Sequence, residues 1–392
     1  MTDHPAAGPR PHLPPAAEFL YWPPQFQAYG YRIVDRLFHS RTVPASGAGS
    51  AMPYGPELDL RYVSGGIERG IDAFMDHNVV AGLLVLKAGR IVLERYGLGL
   101  RDHDRWSTMS TVKSITAMLV GACIRDGVIE GLDDPVERYL PAIGGSGYEG
   151  VTLRHLLTMS SGLAWSEAYA DPASDVNRYS RCLAEGTPDG VITLLRGLRR
   201  TCPPGTRWAY NTGDTYLLGR VLVAALGGPL ADYLSQTIWK PAGMEFDAFY
   251  TLDMPGGNEI GGSRAGMALR DFGRVAQVVL DDGVIGGRRV LPEGWVDEAL
   301  SPAFLFGPRD QDFGSIRSSR LKGYGYSWWI GEDGSAQAHG FAGQRIFLDR
   351  AERLAIVTLS AFPQLPHVPA PVPDRHGELR LFTDAVRDAL RG

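Results

Sequence analysis

The residues of this chain best suited to chemistry are a serine and a lysine three positions apart, in Met109-Ser110-Thr111-Val112-Lys113-Ser114-Ile115. On a helix, residues i and i+3 lie about 5–6 Å apart at Cβ, so the amine can reach the hydroxyl proton. The stretch that follows, Ser114 to Ile124, is apolar almost all round and predicts a helix buried over most of its surface. Serine is a weak nucleophile until a base takes its proton, and a lysine at its ordinary pKa of about 10.4 is protonated at neutral pH. Burial at the foot of an apolar helix disfavours the ammonium, as does the positive end of the helix dipole. The free N–H groups at the same end favour a developing oxyanion. The plainer reading makes Ser110 a helix cap and Lys113 a solvated first-turn residue.

The chain offers its own control. Ser319 and Lys322 repeat the S-x-x-K spacing, but in a polar run (Arg317-Ser318-Ser319-Arg320) that leads into alternating aromatics, so these two side chains are not expected on one helical face. Of 39 Lys+Arg only four are lysines, at 87, 113, 240 and 322. Where lysine persists, a titratable amine is one reason, since arginine cannot accept a proton.

Tyr210 is the second candidate. A turn at Pro203-Pro204-Gly205-Thr206 delivers Arg207 to Gly213 as an extended segment in which Tyr210 and Thr212 point the same way. Beside a Ser–Lys pair a phenol can relay the proton to a leaving nitrogen or oxygen; otherwise Tyr210 is one aromatic of a strand. His339 lies in Ala338-His339-Gly340-Phe341, whose glycine permits close approach of a ligand, or simply relieves an edge strand. His155 reads as a core or capping residue. No G-x-S-x-G elbow, P-loop or H-E-x-x-H is present, and no G-x-G-x-x-G follows a strand.

These side chains need a scaffold. Val79–Leu86 and Arg90–Tyr96 read as strands joined at Lys87-Ala88-Gly89, preceded by a short helix over Ile67–Asn78. Thr152 caps a helix reaching Met159, and residues 163–190 read as loop. Helices are expected over Val191–Leu198, Asp214–Leu226, Pro229–Ile238, Leu269–Leu280 and Pro292–Leu300, with a glycine-rich loop at 245–266. The last third predicts strands at Gly323–Ile330, Ala336–Phe341, Gln344–Leu348 and Leu354–Leu359, then a closing helix within Asp374–Leu390. Strands at both ends around helices suggest a sheet assembled from both termini.

With 392 residues, 44% hydrophobic and 21% charged, the chain can bury a large core. A net charge of -5 supplies no basic field for nucleic acid or anionic membrane, so neither partner is expected. Three cysteines without C-x-x-C imply neither a disulfide framework nor a structural metal. The N-terminus lacks the basic head and apolar run of a signal peptide, and no stretch approaches 18 apolar residues, so a cytoplasmic protein is expected.

Taken in order, Ser110-Thr111-Val112-Lys113, Tyr210-Asn211-Thr212 and the glycine-containing strand near the C-terminus resemble the S-x-x-K, Y-x-N and K/H-T-G motifs of the serine β-lactamase and penicillin-binding-protein superfamily. Thr152 to Leu163 and Leu132-Asp133-Asp134-Pro135-Val136 are similar to signatures of its class C and esterase branch. Within that branch the aromatic N-terminal arm, Tyr169-Ala170-Asp171-Pro172, the Tyr326-Ser327-Trp328-Trp329 strand and Gly343-Gln344 resemble the amidases of linear 6-aminohexanoate oligomers.

The resemblance implies an α/β plus all-α, β-lactamase-like fold: an antiparallel sheet flanked by helices (61–135 and 267–392), a mainly helical part (136–266), an irregular arm (1–60), and a site between the two parts. By it Ser110 is the acyl-forming nucleophile, Lys113 its base and Tyr210 the proton relay. The oxyanion hole falls to the N–H groups of Ser110 and Phe341, and Tyr169, Thr212, His339 and Trp328 become substrate-binding residues. Asp171 and Asp175 are candidates for holding a substrate amine. No metal or cofactor is expected; the partner is a small amide or ester substrate, and a homodimer is compatible. Thr212 in place of Asn, and the missing Lys of K-T-G, predict poor penicillin hydrolysis. A carboxylesterase, a D-amino-acid peptidase and a non-catalytic sensor on the same scaffold are the rival readings.

Overall fold

The computed structural model describes residues 13–47 and 49–391. Its main sheet has eight antiparallel strands, in the order Phe304–Leu305, Leu321–Tyr324, Trp329–Gly331, Ala336–Gly340, Gln344–Asp349, Leu354–Ser360, Val80–Lys87, Arg90–Tyr96. Val80–Lys87 is apolar along nearly its whole length because both its faces are covered. Its turn into Arg90–Tyr96 holds Ala88 and Gly89 both at positive φ, between paired Lys87 and Arg90. That is the two-residue primed turn whose twist matches a hairpin. The Leu269–Leu280 helix lies against the face carrying Gly82, Leu84 and Leu86; a Cβ on Gly273 would come within 2.5 Å of Leu84 Cδ2, so the helix sits very close to the sheet. Helices Ile71–His77 and Arg375–Arg391 join through stacked Phe74 and Phe382, 3.8 Å between centroids.

A second sheet of four strands, Ser40–Val43, Ala248–Thr251, Ala265–Met267 and Trp106–Met109, leads straight into the site. Its last strand ends one residue before Ser110, and Met109 takes φ 45 there, a left-handed conformation costly for a side-chain-bearing residue. The chain then turns into the helix Val112–Arg125, buried from Val112 to Cys123. Against it packs the helix Thr212–Leu226. Contact is close where a Cβ on Gly219 would meet Gly261 N at 2.8 Å, and Thr116 Oγ1 donates to Gly261 O at 2.7 Å. Among the described residues no single helix is long and apolar enough to cross a membrane.

Several elements differ from the sequence expectation, for physical reasons. Part of the arm expected to be irregular is ordered: a 3-10 turn at Ala16–Tyr21, helices Pro24–Arg32 and Val34–Leu37 and the strand Ser40–Val43 bury Phe19, Trp22 and Tyr31 in edge-to-face contacts, while 49–60 form no helix or strand. Residues 1–12 of that arm lie outside the described residues. The expected helix Ile67–Asn78 begins as the strand Ile67–Gly70, paired with Arg61–Ser64, before turning helical at Ile71. The stretch 163–190 contains the helix Asp175–Glu185, whose inner face carries Val176, Tyr179 and Leu183 together with the buried polar residues Asn177 and Ser180. The glycine-rich 245–266 contributes two strands of the second sheet. The strand expected over Gly323–Ile330 is two paired strands, Leu321–Tyr324 and Trp329–Gly331, broken where Ser327 turns to φ 59.

Candidate active site

Lys113 Nζ lies 3.0 Å from Ser110 Oγ, in hydrogen-bond reach. Ser110 keeps partial exposure to a cavity; Lys113 is 1% exposed. The amine also donates to Gly262 O and, at 3.4 Å, to Thr212 Oγ1, and it sits 5.3 Å from the centre of the Tyr210 ring. Burial pulls the Lys113 pKa down from 10.5 to about 8, with the Glu167 carboxylate acting in the opposite direction. Tyr210 is pushed the other way, well above its ordinary value, first by burial and then by Glu167, with its contact to the Ser110 hydroxyl opposing. The phenol therefore stays protonated while the lysine moves toward its neutral form: one group suited to accepting a proton, the other to passing one on.

The cavity in front of Ser110 has a volume of about 420 Å³, within the usual range of small-molecule sites. Trp329, stacked on Tyr210 at 5.5 Å, Phe313, Phe341 and Phe362 make it largely aromatic. Phe341 directly follows the strand Ala336–Gly340. A Cβ on Gly340 would lie 2.7 Å from Thr108 O and 3.1 Å from Met109 Cβ, so glycine is what lets this strand end beside the turn carrying Ser110. Tyr169 also lines the cavity, its ring 4.8 Å from that of Phe341. Its backbone carbonyl is held by Asn177 Nδ2 at 3.0 Å and by the hydroxyl of Tyr21 from the N-terminal arm.

His339 lines the cavity as a neutral imidazole. Gln337 Oε1 accepts from Arg345 Nε at 2.8 Å, so His339 Nε2, also 2.8 Å from that oxygen, is the protonated nitrogen, and Nδ1 is left without a partner. Burial, His376 and Arg345 hold its pKa well below the ordinary value; His376, stacked on it at 5.8 Å, is lowered to about 4, chiefly by burial. The site thus carries no cation on this strand.

Trp328 does not reach the cavity: it is buried in the main core, and its neighbour Trp329 takes the place expected of it, because side chains alternate across the strand. Asp171 and Asp175 also lie off the cavity walls. Asp171 accepts from Ala173 N at 2.9 Å, and Asp175 from Ser166 N at 3.0 Å while pairing with Arg178, so both organise their own loop. The acid that does reach the site is Glu167, which sequence reading missed. It is half-buried as a residue, but its carboxylate accepts from Thr212 Oγ1, Trp165 Nε1 and, at 3.4 Å, Tyr169 Oη. Burial raises its pKa and Lys113 lowers it. His155 is a cap, its Nδ1 accepting from Thr152 N at 3.0 Å. Ser319 and Lys322 share no hydrogen bond among the described residues; Lys322 stands in a strand and Ser319 ends a short helix. Among the described residues no three His, Cys, Asp or Glu side chains group to hold a metal ion.

The family model described as Beta-lactamase matches residues 67–375. The chain belongs to the β-lactamase family. It is 30% identical over 298 residues to the 6-aminohexanoate-dimer hydrolase of Paenarthrobacter ureafaciens, covering 74% of each protein. It is 30% identical over 176 residues to the D-aminopeptidase of Brucella anthropi, covering 41% of this chain and 31% of that one. Among solved structures, a candidate 6-aminohexanoate-dimer hydrolase from Bacillus anthracis superposes with a TM-score of 0.82 at 20% identity, over 98% of both chains, a likeness of fold. Family membership makes the chain a serine hydrolase on a β-lactamase-like fold, an antiparallel sheet flanked by helices.

Proposed function

We propose that the chain hydrolyses amide bonds of linear 6-aminohexanoate dimer and oligomers, and short-chain carboxylic esters alongside, through an acyl-enzyme on Ser110. The observation that carries the reading is the buried Lys113 amine 3.0 Å from Ser110 Oγ at the wall of a cavity that Tyr210 also lines. In the attack, neutral Lys113 takes the Ser110 proton as Oγ bonds to the substrate carbonyl carbon. The N–H groups of Ser110 and Phe341 hold the resulting oxyanion. Tyr210 gives its proton to the leaving nitrogen or oxygen and is reprotonated from Lys113, the C–N or C–O bond breaks, and the acyl group remains on Ser110. Water then attacks the ester, returning a proton through the same pair and freeing the acid. The aromatic walls suit a hydrocarbon chain, and the amide specificity follows the Paenarthrobacter relative. Release of 6-aminohexanoate from the dimer by wild type and by Ser110→Ala tests the reading. Loss of turnover in the variant, with a wild-type mass increase of one acyl group after a poorly deacylating ester, is expected. Equal turnover by both proteins overturns it.

A further inference from the structure

A second, smaller cavity of about 30 Å³ shares Ser110, Tyr169 and Phe341 with the large one and is completed by Leu20, Met109, Val176, Tyr179, Thr212, Ser263 and Arg264. Arg264 is the unusual member. It is 3% exposed, and no carboxylate oxygen of the described residues lies within 4 Å of it. Nη2 donates to Ser180 Oγ, Nη1 is buried without any partner, and the guanidinium lies 4.8 Å from the centre of the Phe38 ring. The residue takes φ 60, a conformation a side-chain-bearing residue adopts at a cost. An arginine remains charged when buried, and a buried charge without a counterion is expensive. The space beside it holds about two water-sized groups, the size of two carboxylate oxygens. Beside the large cavity the cation is Lys113, whose hydrogen bonds go to Ser110, Thr212 and Gly262; the ionisable lining itself is Glu167, Tyr169, Tyr210 and two neutral imidazoles.

We propose that the small cavity is a carboxylate-binding subsite in which Arg264 pairs with an anionic end of the substrate while the scissile carbonyl lies at Ser110. This rests on the reading of Ser110 as nucleophile and deepens it: the substrate class is a linear amide or ester bearing a carboxylate, as a 6-aminohexanoate oligomer does on its leaving half. An ammonium at this subsite would face a fixed positive charge. Tyr179 and Ser263, 3.2 Å apart and sharing one hydrogen bond, leave a hydroxyl proton for the carboxylate, whereas Thr212 and Tyr169 give theirs to Glu167; Leu20 and Phe38 of the N-terminal arm keep water from the guanidinium.

Two substrate pairs test it. One places the carboxylate on the acyl half, mono-4-nitrophenyl adipate against its methyl-capped counterpart. The other places it on the leaving half, hexanoyl 4-hydroxybenzoate against its methyl ester. Wild type should prefer the acid over the capped ester by about ten- to hundredfold in kcat/KM in at least one pair, the worth of a charge-assisted hydrogen bond. Arg264→Met should collapse that ratio, and Arg264→Lys should restore part of it. No preference in either pair, or a preference that survives Arg264→Met, overturns the proposal. Should Arg264→Met fail to fold, wild-type protein alone decides: adipate should inhibit ester hydrolysis competitively and hexane-1,6-diamine should not. The reverse pattern, or inhibition by neither, overturns it. Adipate binding to Ser110→Ala, measured by calorimetry, separates the two readings, because a faulty nucleophile assignment leaves that binding intact and a faulty subsite abolishes it.

Discussion

Replacing Glu167 by Gln removes a charge from beside the proposed base without emptying its place. Lys113 and Glu167 form no direct ion pair; both bond to the Thr212 hydroxyl, Lys113 at 3.4 Å, which puts their charges roughly 5–6 Å apart. At an effective dielectric of about 20 that separation is worth about 3 kcal/mol, or about two pKa units before screening. Glu167 raises the Lys113 pKa, so its loss should lower it, and the shift expected in practice is about one to two units. The consequence is visible in kcat/KM against pH for a good ester. With a Lys113 pKa of about 8, about a tenth of the amines are neutral at pH 7, against about 0.03 % at the ordinary 10.5. Activity should therefore rise with pH through a limb near 8 in wild type, a macroscopic value belonging to the coupled Lys113–Glu167 pair. In Glu167→Gln the limb should move to lower pH, so that the variant gains relative activity at pH 6. A limb that stays in place, or moves up, refutes the assignment of Lys113 as the base under Glu167 control.

Tyr210→Phe should lower kcat by about 10²–10⁴ for amides and much less for 4-nitrophenyl esters, whose leaving group needs no proton; equal losses on both would remove the relay role. Gly340→Ala pushes a Cβ to 2.7 Å from Thr108 O and should displace Phe341 from Ser110, cutting kcat for all substrates at least tenfold with little change in KM; wild-type kinetics would show that Gly340 does not set this contact. Tyr21→Phe removes the hydrogen bonds from the arm to Tyr169 O and Asn177. About 1 kcal/mol of loop order is lost, and KM for long amides should rise several-fold while Tm falls by only a few degrees; an unchanged KM would mean that the arm is packing alone.

That Ser110, Lys113 and Tyr210 come together was legible because their signals are local. Ser110 and Lys113 sit on one turn, the helix behind them is buried from Val112 to Cys123, and Tyr210 and Thr212 lie two residues apart where an extended segment enters the helix Thr212–Leu226. The hairpin at Ala88-Gly89 was legible for the same reason, as was the Thr152 cap. Trp328 was mistaken for Trp329 because the expected single strand is broken at Ser327, and one residue of register moves a side chain to the other face. The N-terminal arm looked irregular since its prolines mark helix starts as readily as loops: Pro24 opens the helix Pro24–Arg32.

Glu167 and Arg264 were hidden by a different cause. Each draws its role from partners far along the chain: Glu167 from Lys113 and Thr212, Arg264 from Ser180, Phe38 and the two cavities that meet at Ser110. One local sign of Glu167 did exist. Trp165, Glu167 and Tyr169 recur at period two, which in an extended segment places all three on one side, and their hydrogen bonds to the same carboxylate follow from that alternation. Arg264 left no such sign, since an arginine after Gly261-Gly262-Ser263 reads as a solvated loop residue until the fold denies it a counterion. The two residues place a negative charge beside Lys113 and a positive one across the cavity that shares Ser110. Thr212 and Tyr169 line the small cavity and give their hydroxyl protons to Glu167, so a carboxylate seated there has Arg264 and the Tyr179–Ser263 pair as its donors, and a charged ligand bears on the Lys113–Glu167 pair only across those two hydroxyls.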